Sequence, residues 1–171
     1  DALAAAAARG IQPLTRNDPE YPRQLAEIAD PPTLLWAIGN PSVLSTPMVA
    51  IVGSRAGSSY ALGVAERLAS DLAARGLTVV SGLARGVDSS AHQGALSAGG
   101  VTVGVLGCGV DIIYPREHEP LARAMCERGA VISELVPGTV PKPPFFPLRN
   151  RIISGLARAV VVSPGPPARP R

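Results

Sequence analysis

The sequence predicts an α/β fold, a doubly wound and mostly parallel sheet whose strands alternate with helices. Three observations carry that prediction. Five β-branched runs stand out: Val49–Val52, Thr78–Ser81, Val101–Leu106, Val131–Ser133 and Val160–Ser163. With Val52, Val80, Val105, Ile132 and Val161 as markers they recur at spacings of 28, 25, 27 and 29 residues, the interval of βαβ units. The runs are continuously apolar, as strands covered by helices on both faces should be, and helical patterns fill the gaps between them.

Taken in order, residues 2–8 are nearly all alanine, with no basic segment before them and no cleavage pattern after. They read as the end of a helix rather than a signal peptide. Residues 10–46 carry six prolines counted up to Pro47 and read as an extended arm, with Thr33–Ile38 as its one strand. From Ser59 to Arg75, Leu62, Ala65, Leu68, Ala69 and Leu72 share a helical face, while Glu66, Ser70 and Asp71 turn away. Asp71 stands four before Arg75, the favourable order for a helix ion pair, and Gly76 supplies the stop. A second helix starts near Asp88, a third covers about 119–128, and a fourth begins near Arg149 and turns Ile152, Ile153 and Leu156 inward. Residues 47–163 thus form the sheet domain, and residues 164–171, rich in proline and arginine, read as a disordered tail.

The 171 residues are 46% hydrophobic and 17% charged, enough to bury a core. No apolar run is long enough to span a membrane. Cys108 and Cys126 lack CxxC spacing, and reduced thiols in a cytoplasm are expected. The net charge of +3 is unevenly spread, because residues 141–171 hold Lys142, Arg149, Arg151, Arg158, Arg169 and Arg171 and no acid. A basic end of this kind suits a polyanion.

In a parallel sheet the loops that follow the strands converge on one edge, where such folds bind ligands. Here they read Gly53-Ser-Arg-Ala-Gly57, Gly82-Leu-Ala-Arg-Gly86, Gly107-Cys-Gly109 and 134–150. Glycines admit close approach of a ligand to the backbone, and helix N-termini attract anions. Ser54, Ser58 and Ser59 are candidate donors to phosphate, and Arg55 and Arg85 candidate bidentate partners. Lys142 is the only lysine and no GxxxxGK[ST] precedes it, so P-loop hydrolysis is excluded. Gly107-x-Gly109 continues to Ile112 rather than glycine, which removes the dinucleotide fingerprint, and no GxSxG elbow exists. Asp88 and His92 lie on one helical face, read as a helix cap and a bond to a neighbouring loop, with no metal and no cofactor expected. Glu134, with Asp111 as its only candidate partner, is the one conceivable catalytic carboxylate. The segment 141–151 places Phe145 and Phe146 in a proline-stiffened loop beside Lys142, Arg149, Asn150 and Arg151. Aromatic faces next to cations are the composition of a single-strand nucleic-acid site.

These residues also match a known pattern. Val49-Ala-Ile-Val-Gly-Ser-Arg55, Ser81-Gly-Leu-Ala-Arg-Gly-Val-Asp88 with Ala91-His92, and Leu106-Gly-Cys-Gly-Val-Asp111 with Tyr114-Pro115 are the first blocks. Ser133-Glu134, Pro137-Gly-Thr139 and the run from Phe146 to Leu156 follow, with Glu20-Tyr-Pro22 and Asp30-Pro-Pro32 upstream. Over residues 10–162 the chain resembles the bacterial DNA-processing protein A (DprA/Smf) family. The resemblance implies an extended Rossmann-like domain that binds single-stranded DNA without catalysis, protects it during natural transformation and helps load the RecA recombinase. By motif position it places DNA contacts at Arg55, Phe146 and Lys142, which fall among the loop candidates Gly53, Ser54, Gly82, Arg85, Gly86, Arg149, Asn150 and Arg151, and it implies a possible homodimer. By the same resemblance residues 1–9 would be the remnant of an N-terminal helical domain. The family continues past Val-Val with Glu-Ala and more sheet, whereas Val161-Val162 here runs into Ser163-Pro-Gly-Pro-Pro. A sheet missing its C-terminal part, by truncation or altered frame, is therefore expected. The alternative is a nucleotide phosphoribohydrolase of the related lysine-decarboxylase-like fold acting through Glu134. Its Pro-Gly-Gly-x-Gly-Thr-x-x-Glu motif is only partly matched at Pro137-Gly-Thr139.

Overall fold

The computed structural model describes residues 2–163, so the tail expected to be disordered lies outside the described residues. In chain order, α1 (Ala2–Ala7) leads to β1 (Gln12–Thr15), a short helix α2 (Arg23–Ala26) and β2 (Leu34–Gly39). The repeating part then runs β3 (Met48–Gly53), α3 (Ser59–Ala74), β4 (Thr78–Ser81), α4 (Val87–Ser97) and β5 (Thr102–Val105). It closes with α5 (Glu119–Cys126), β6 (Ala130–Ser133), α6 (Phe145–Leu156) and β7 (Ala159–Ser163).

The seven strands make one sheet in the order β1-β2-β6-β5-β4-β3-β7. Strands β6, β5, β4, β3 and β7 are parallel, and β2 and β1 add antiparallel neighbours beyond β6. The proline-rich segment therefore supplies two strands. β2 pairs Trp36 with Ser133, and β1 pairs Leu14 with Leu35 at the sheet edge, where Pro13 is tolerated.

From β3 to β6 the chain steps outward in one direction, then α6 carries it back across to β7 on the far side of β3. Right-handed crossovers make that reversal put α6 on the face opposite α3, α4 and α5. The alternation of each strand serves both faces. Val79 and Ile51 pack with Ala65, Ala69, Val87, Ala91 and Ala95; Val80, Val103, Val105 and Ile132 pack with Leu25, Leu35, Ile152, Ile153 and Leu156. Small residues allow close approach of the layers. A Cβ on Gly94 would collide with the Glu66 backbone, which explains how α4 lies directly against α3.

Two local expectations change. Arg75 donates from Nη1 to the Asp71 carbonyl (2.7 Å), so the predicted side-chain pair is replaced by a cap on the helix end ahead of Gly76 (φ +80°). Helix α6 starts at Phe145 rather than near Arg149. Pro147 falls in its first turn, where a missing N–H breaks no helical bond. Phe145 and Phe146 therefore belong to a helix start and not to a loop.

Candidate functional site

The reversal of strand order lies between β3 and β7, and beside it a crevice opens at the carboxyl ends of β3 and β4. Its parts are the turn after β3, the turn after β4, the loop after β5 and the first turn of α6. The first two turns are joined. Val87 donates its N–H to the Ser54 carbonyl (3.2 Å), and Gly86, at φ +80°, lies so close that a Cβ would strike the backbone of Ser54 and Arg55. Between them Leu83 is fully buried at φ +57°, a conformation that costs a branched residue about 1–3 kcal/mol.

Beneath this rim lies a buried polar centre. Arg149, 5% exposed, donates from Nη1 to the Gly82 carbonyl (2.7 Å) and to that of Val105, and from Nε to Asn150 Oδ1 (3.1 Å). Its Nη2 stands 4.0 Å from Asp88 Oδ2, which also accepts the Gly82 N–H at 3.1 Å. Gly82 is thus clasped by both charges, and a Cβ there would overlap the guanidinium. Burial pulls the Arg149 pKa below its usual value and raises that of Asp88, while each charge partly offsets the other's penalty. One turn along α4, His92 is fully buried with Nδ1 2.6 Å from Thr102 Oγ1. Thr102 spends its own proton on the Val79 carbonyl (2.8 Å), so Nδ1 must carry the hydrogen and Nε2 is left bare, with no partner among the described residues. Burial accordingly pushes the His92 pKa down to about 3. The bond to β5 replaces the expected bond to a loop.

On the rim, the half-buried Phe146 ring is the centre of an aromatic and cationic cluster. The exposed Arg55 guanidinium carbon sits 5.1 Å from its centroid and that of Arg149 6.0 Å, while Tyr114 lies 5.6 Å away at a 43° tilt. Gly107 makes room, since a Cβ there would lie 3.0 Å from the ring. Two clefts flank Phe146 and share Arg55 and Ala84. The larger, about 250 Å³, is lined by Gly53, Asp88, Pro147, Arg149 and Asn150, and the smaller, about 90 Å³, by Gly82, Arg85, Tyr114 and Pro115.

Of the residues expected at the site, Gly53, Arg55, Gly82, Arg85, Phe146, Arg149 and Asn150 come together in these clefts. Ser54 and Gly86 form the joined turns above them, and Ser54 Oγ accepts from the Ala56 N–H (3.1 Å). Ser58 caps α3 by accepting from the Ala61 N–H (3.2 Å). Lys142 is exposed in the turn before α6, outside both linings.

Two of the expected arginines have their donors engaged by the protein itself. Arg149 is buried with its donors committed internally. Arg151 grips Glu134 through both Nη atoms (2.6 Å each) and reaches Asp30 through Nε (3.1 Å), because β6 and the loop before β2 bring both carboxylates beside α6. Glu134 is thereby held in an ion pair, while Asp111 pairs with Arg9 (2.8 Å) and accepts the Gly138 N–H (2.8 Å). The two carboxylates serve separate partners, not a common centre. Arg85 forms a two-point pair with Glu117 at 2.6 and 3.1 Å on the exposed surface. Tyr114, 41% exposed, was missed as a site residue. Its position in the loop after a central strand, before Pro115, was the available signal. Cys108 donates to the Ile112 carbonyl (2.9 Å), and burial lifts its pKa to about 11, so no thiolate is available there. Among the described residues no cluster of three metal-ligating side chains occurs, and no helix is long and apolar enough to cross a membrane.

The model of the family described as DNA recombination-mediator protein A matches residues 12–166. The DNA processing protein DprA of Bacillus subtilis is 40% identical over 164 residues, covering 95% of this chain and 55% of that protein. The X-ray structure of DNA processing protein A from Streptococcus pneumoniae gives a TM-score of 0.85 at 40% identity over 94% of this chain and 57% of that one. A solved structure of DNA processing protein A from Helicobacter pylori, described for its single-stranded DNA binding mode, gives 0.79 at 32% identity over 88% of this chain and 68% of that one. The chain spans about half the length of the curated relatives it matches. With the sheet order, the joined glycine turns and the extent of these matches in hand, the chain belongs to the DNA recombination-mediator protein A family.

Proposed function

We propose that this chain binds single-stranded DNA along the carboxyl edge of its sheet, with residues 47–163 as the DNA-holding unit and no catalytic turnover. The observation that carries the reading is the Phe146 ring, open to two clefts and faced by the exposed Arg55. A base can stack on such a ring only when it is free of a partner strand, and the cation beside it suits the adjoining phosphate. Ser54 and Lys142 add donors, and Tyr114 extends the aromatic surface. The single-strand binding mode described for the H. pylori relative supports the same reading.

In this proposal the chain acts as the DNA-binding part of a recombination mediator in natural transformation, in the cytoplasm, handing the strand to the RecA recombinase and able to self-associate. Fluorescence anisotropy with single-stranded and duplex oligonucleotides of one sequence tests the core of it. Tighter binding of the single strand is expected; equal affinity, or none, sinks the proposal. Co-sedimentation with purified RecA on single-stranded DNA tests the hand-over separately.

A further inference from the structure

The single-strand reading leaves open whether the groove distinguishes bases, and the join between its buried and exposed parts bears on that. Asn150 is exposed on α6 and lines the larger cleft with Phe146. Its neighbour Arg149 donates from Nε to it at 3.1 Å. A guanidinium nitrogen can only donate, so the atom facing it must be the amide oxygen; a flipped amide would set N–H against N–H. Arg149 cannot turn to accommodate the flip, because its Nη atoms are held by Gly82, Val105 and Asp88 in a nearly solvent-free site. The amide Nδ2, which has no partner among the described residues, is consequently the end of Asn150 free to serve a ligand. At about 250 Å³ the cleft beside it is small for a ligand site, and a single base fits within that volume.

Resting on the single-strand reading, we propose that Asn150 is a specificity-determining residue that donates from Nδ2 to the keto oxygen at position 4 of the base stacked on Phe146, and that Arg149 is the positioning residue that fixes this polarity. Thymine carries keto oxygens at positions 2 and 4 of its ring. Cytosine carries one, and its amino group at the other would oppose Nδ2 donor to donor. The groove therefore prefers thymine to cytosine, a comparison in which ring size and stacking area are nearly constant.

The test is competition binding of oligo(dT) and oligo(dC) of equal length to the whole chain. One hydrogen bond of net value predicts a preference for oligo(dT) of about three- to ten-fold. N150A should bring the ratio toward unity. N150D, which offers only acceptors, should weaken both ligands through phosphate repulsion and tilt the ratio toward oligo(dC). R149K, if it retains a cooperative melt, should lose the preference while keeping the salt dependence of wild type; the Asn150 variants decide the matter if it does not fold. A wild type that binds neither oligomer overturns the single-strand reading itself. A wild type that binds both equally, or a ratio unmoved in N150A and N150D, overturns this inference alone.

Discussion

Arg55 and Arg149 approach the same Phe146 ring, at 5.1 and 6.0 Å, from two regions built on different terms. Arg55 stands on the exposed rim formed by the turn after β3, and its guanidinium has no hydrogen-bond or ion-pair partner among the described residues. Arg149 lies in the floor, bonded to two strand-end carbonyls and to Asn150, with the Asp88 carboxylate 4.0 Å away. The floor's charges are satisfied by the protein, and on the rim that of Arg55 is left for a ligand. Residue type and proximity to an aromatic ring do not separate the two roles; the state of the donors does.

If that division is right, floor substitutions should change stability, and rim substitutions should change DNA affinity. The largest expected effect is from Arg149→Met, which strips two buried carbonyls of a donor and leaves Asp88 without its cation. A loss of about 3–5 kcal/mol in urea unfolding is expected. It should be worse at pH 8 than at pH 5, because an unpaired buried carboxylate takes up a proton in the folded state. A loss below about 1 kcal/mol would break the comparison at its root.

The floor should also respond to pH through His92, whose folded pKa of about 3 lies below its unfolded value of 6.5. Because the unfolded chain binds the proton and the folded chain excludes it, this contribution is complete above pH 6.5. It is lost as pH falls toward 3, by up to about 1.4 kcal/mol per pH unit. His92→Gln should flatten the pH dependence of the unfolding free energy across that window.

On the rim, Phe146→Ala should weaken single-strand binding by about 1–3 kcal/mol while leaving the melting temperature near that of wild type. A large drop in melting temperature would instead make the ring a core residue. The smallest and most specific effect is expected for Arg55→Ala. It should reduce the slope of log affinity against log salt by about 0.7, the signature of one lost phosphate contact, with stability unchanged.

The sheet was largely legible from sequence because its strands are buried on both faces and so read as unbroken apolar runs; Thr78–Ser81 coincides with β4. Strand β1 was not legible, since in Gln12–Thr15 only Leu14 is buried and one residue sets no period. The start of α6 was misplaced because three prolines in 143–147 suggest a loop, whereas a helix accepts proline in its first turn. At the site, the loops, Arg55 and Phe146 could be placed, because glycine turns and strand order fix the ligand edge. The fates of Arg149 and Arg151 could not. Their partners Gly82, Val105, Glu134 and Asp30 lie 67, 44, 17 and 121 residues away and are brought in only by the sheet order.

The joining of the Ser54–Arg55 turn to Gly86 and Val87 has a kinetic consequence. Because the backbone of this rim is bonded to the start of a neighbouring helix, little closing motion is expected, under the single-strand proposal, when a strand binds. Capture should then be a one-step encounter, its on-rate set by diffusion and the attraction between cation and phosphate. That rate would slow with salt and show no plateau at high DNA concentration, while the residence time of the strand would be governed by how long a base stays on the ring.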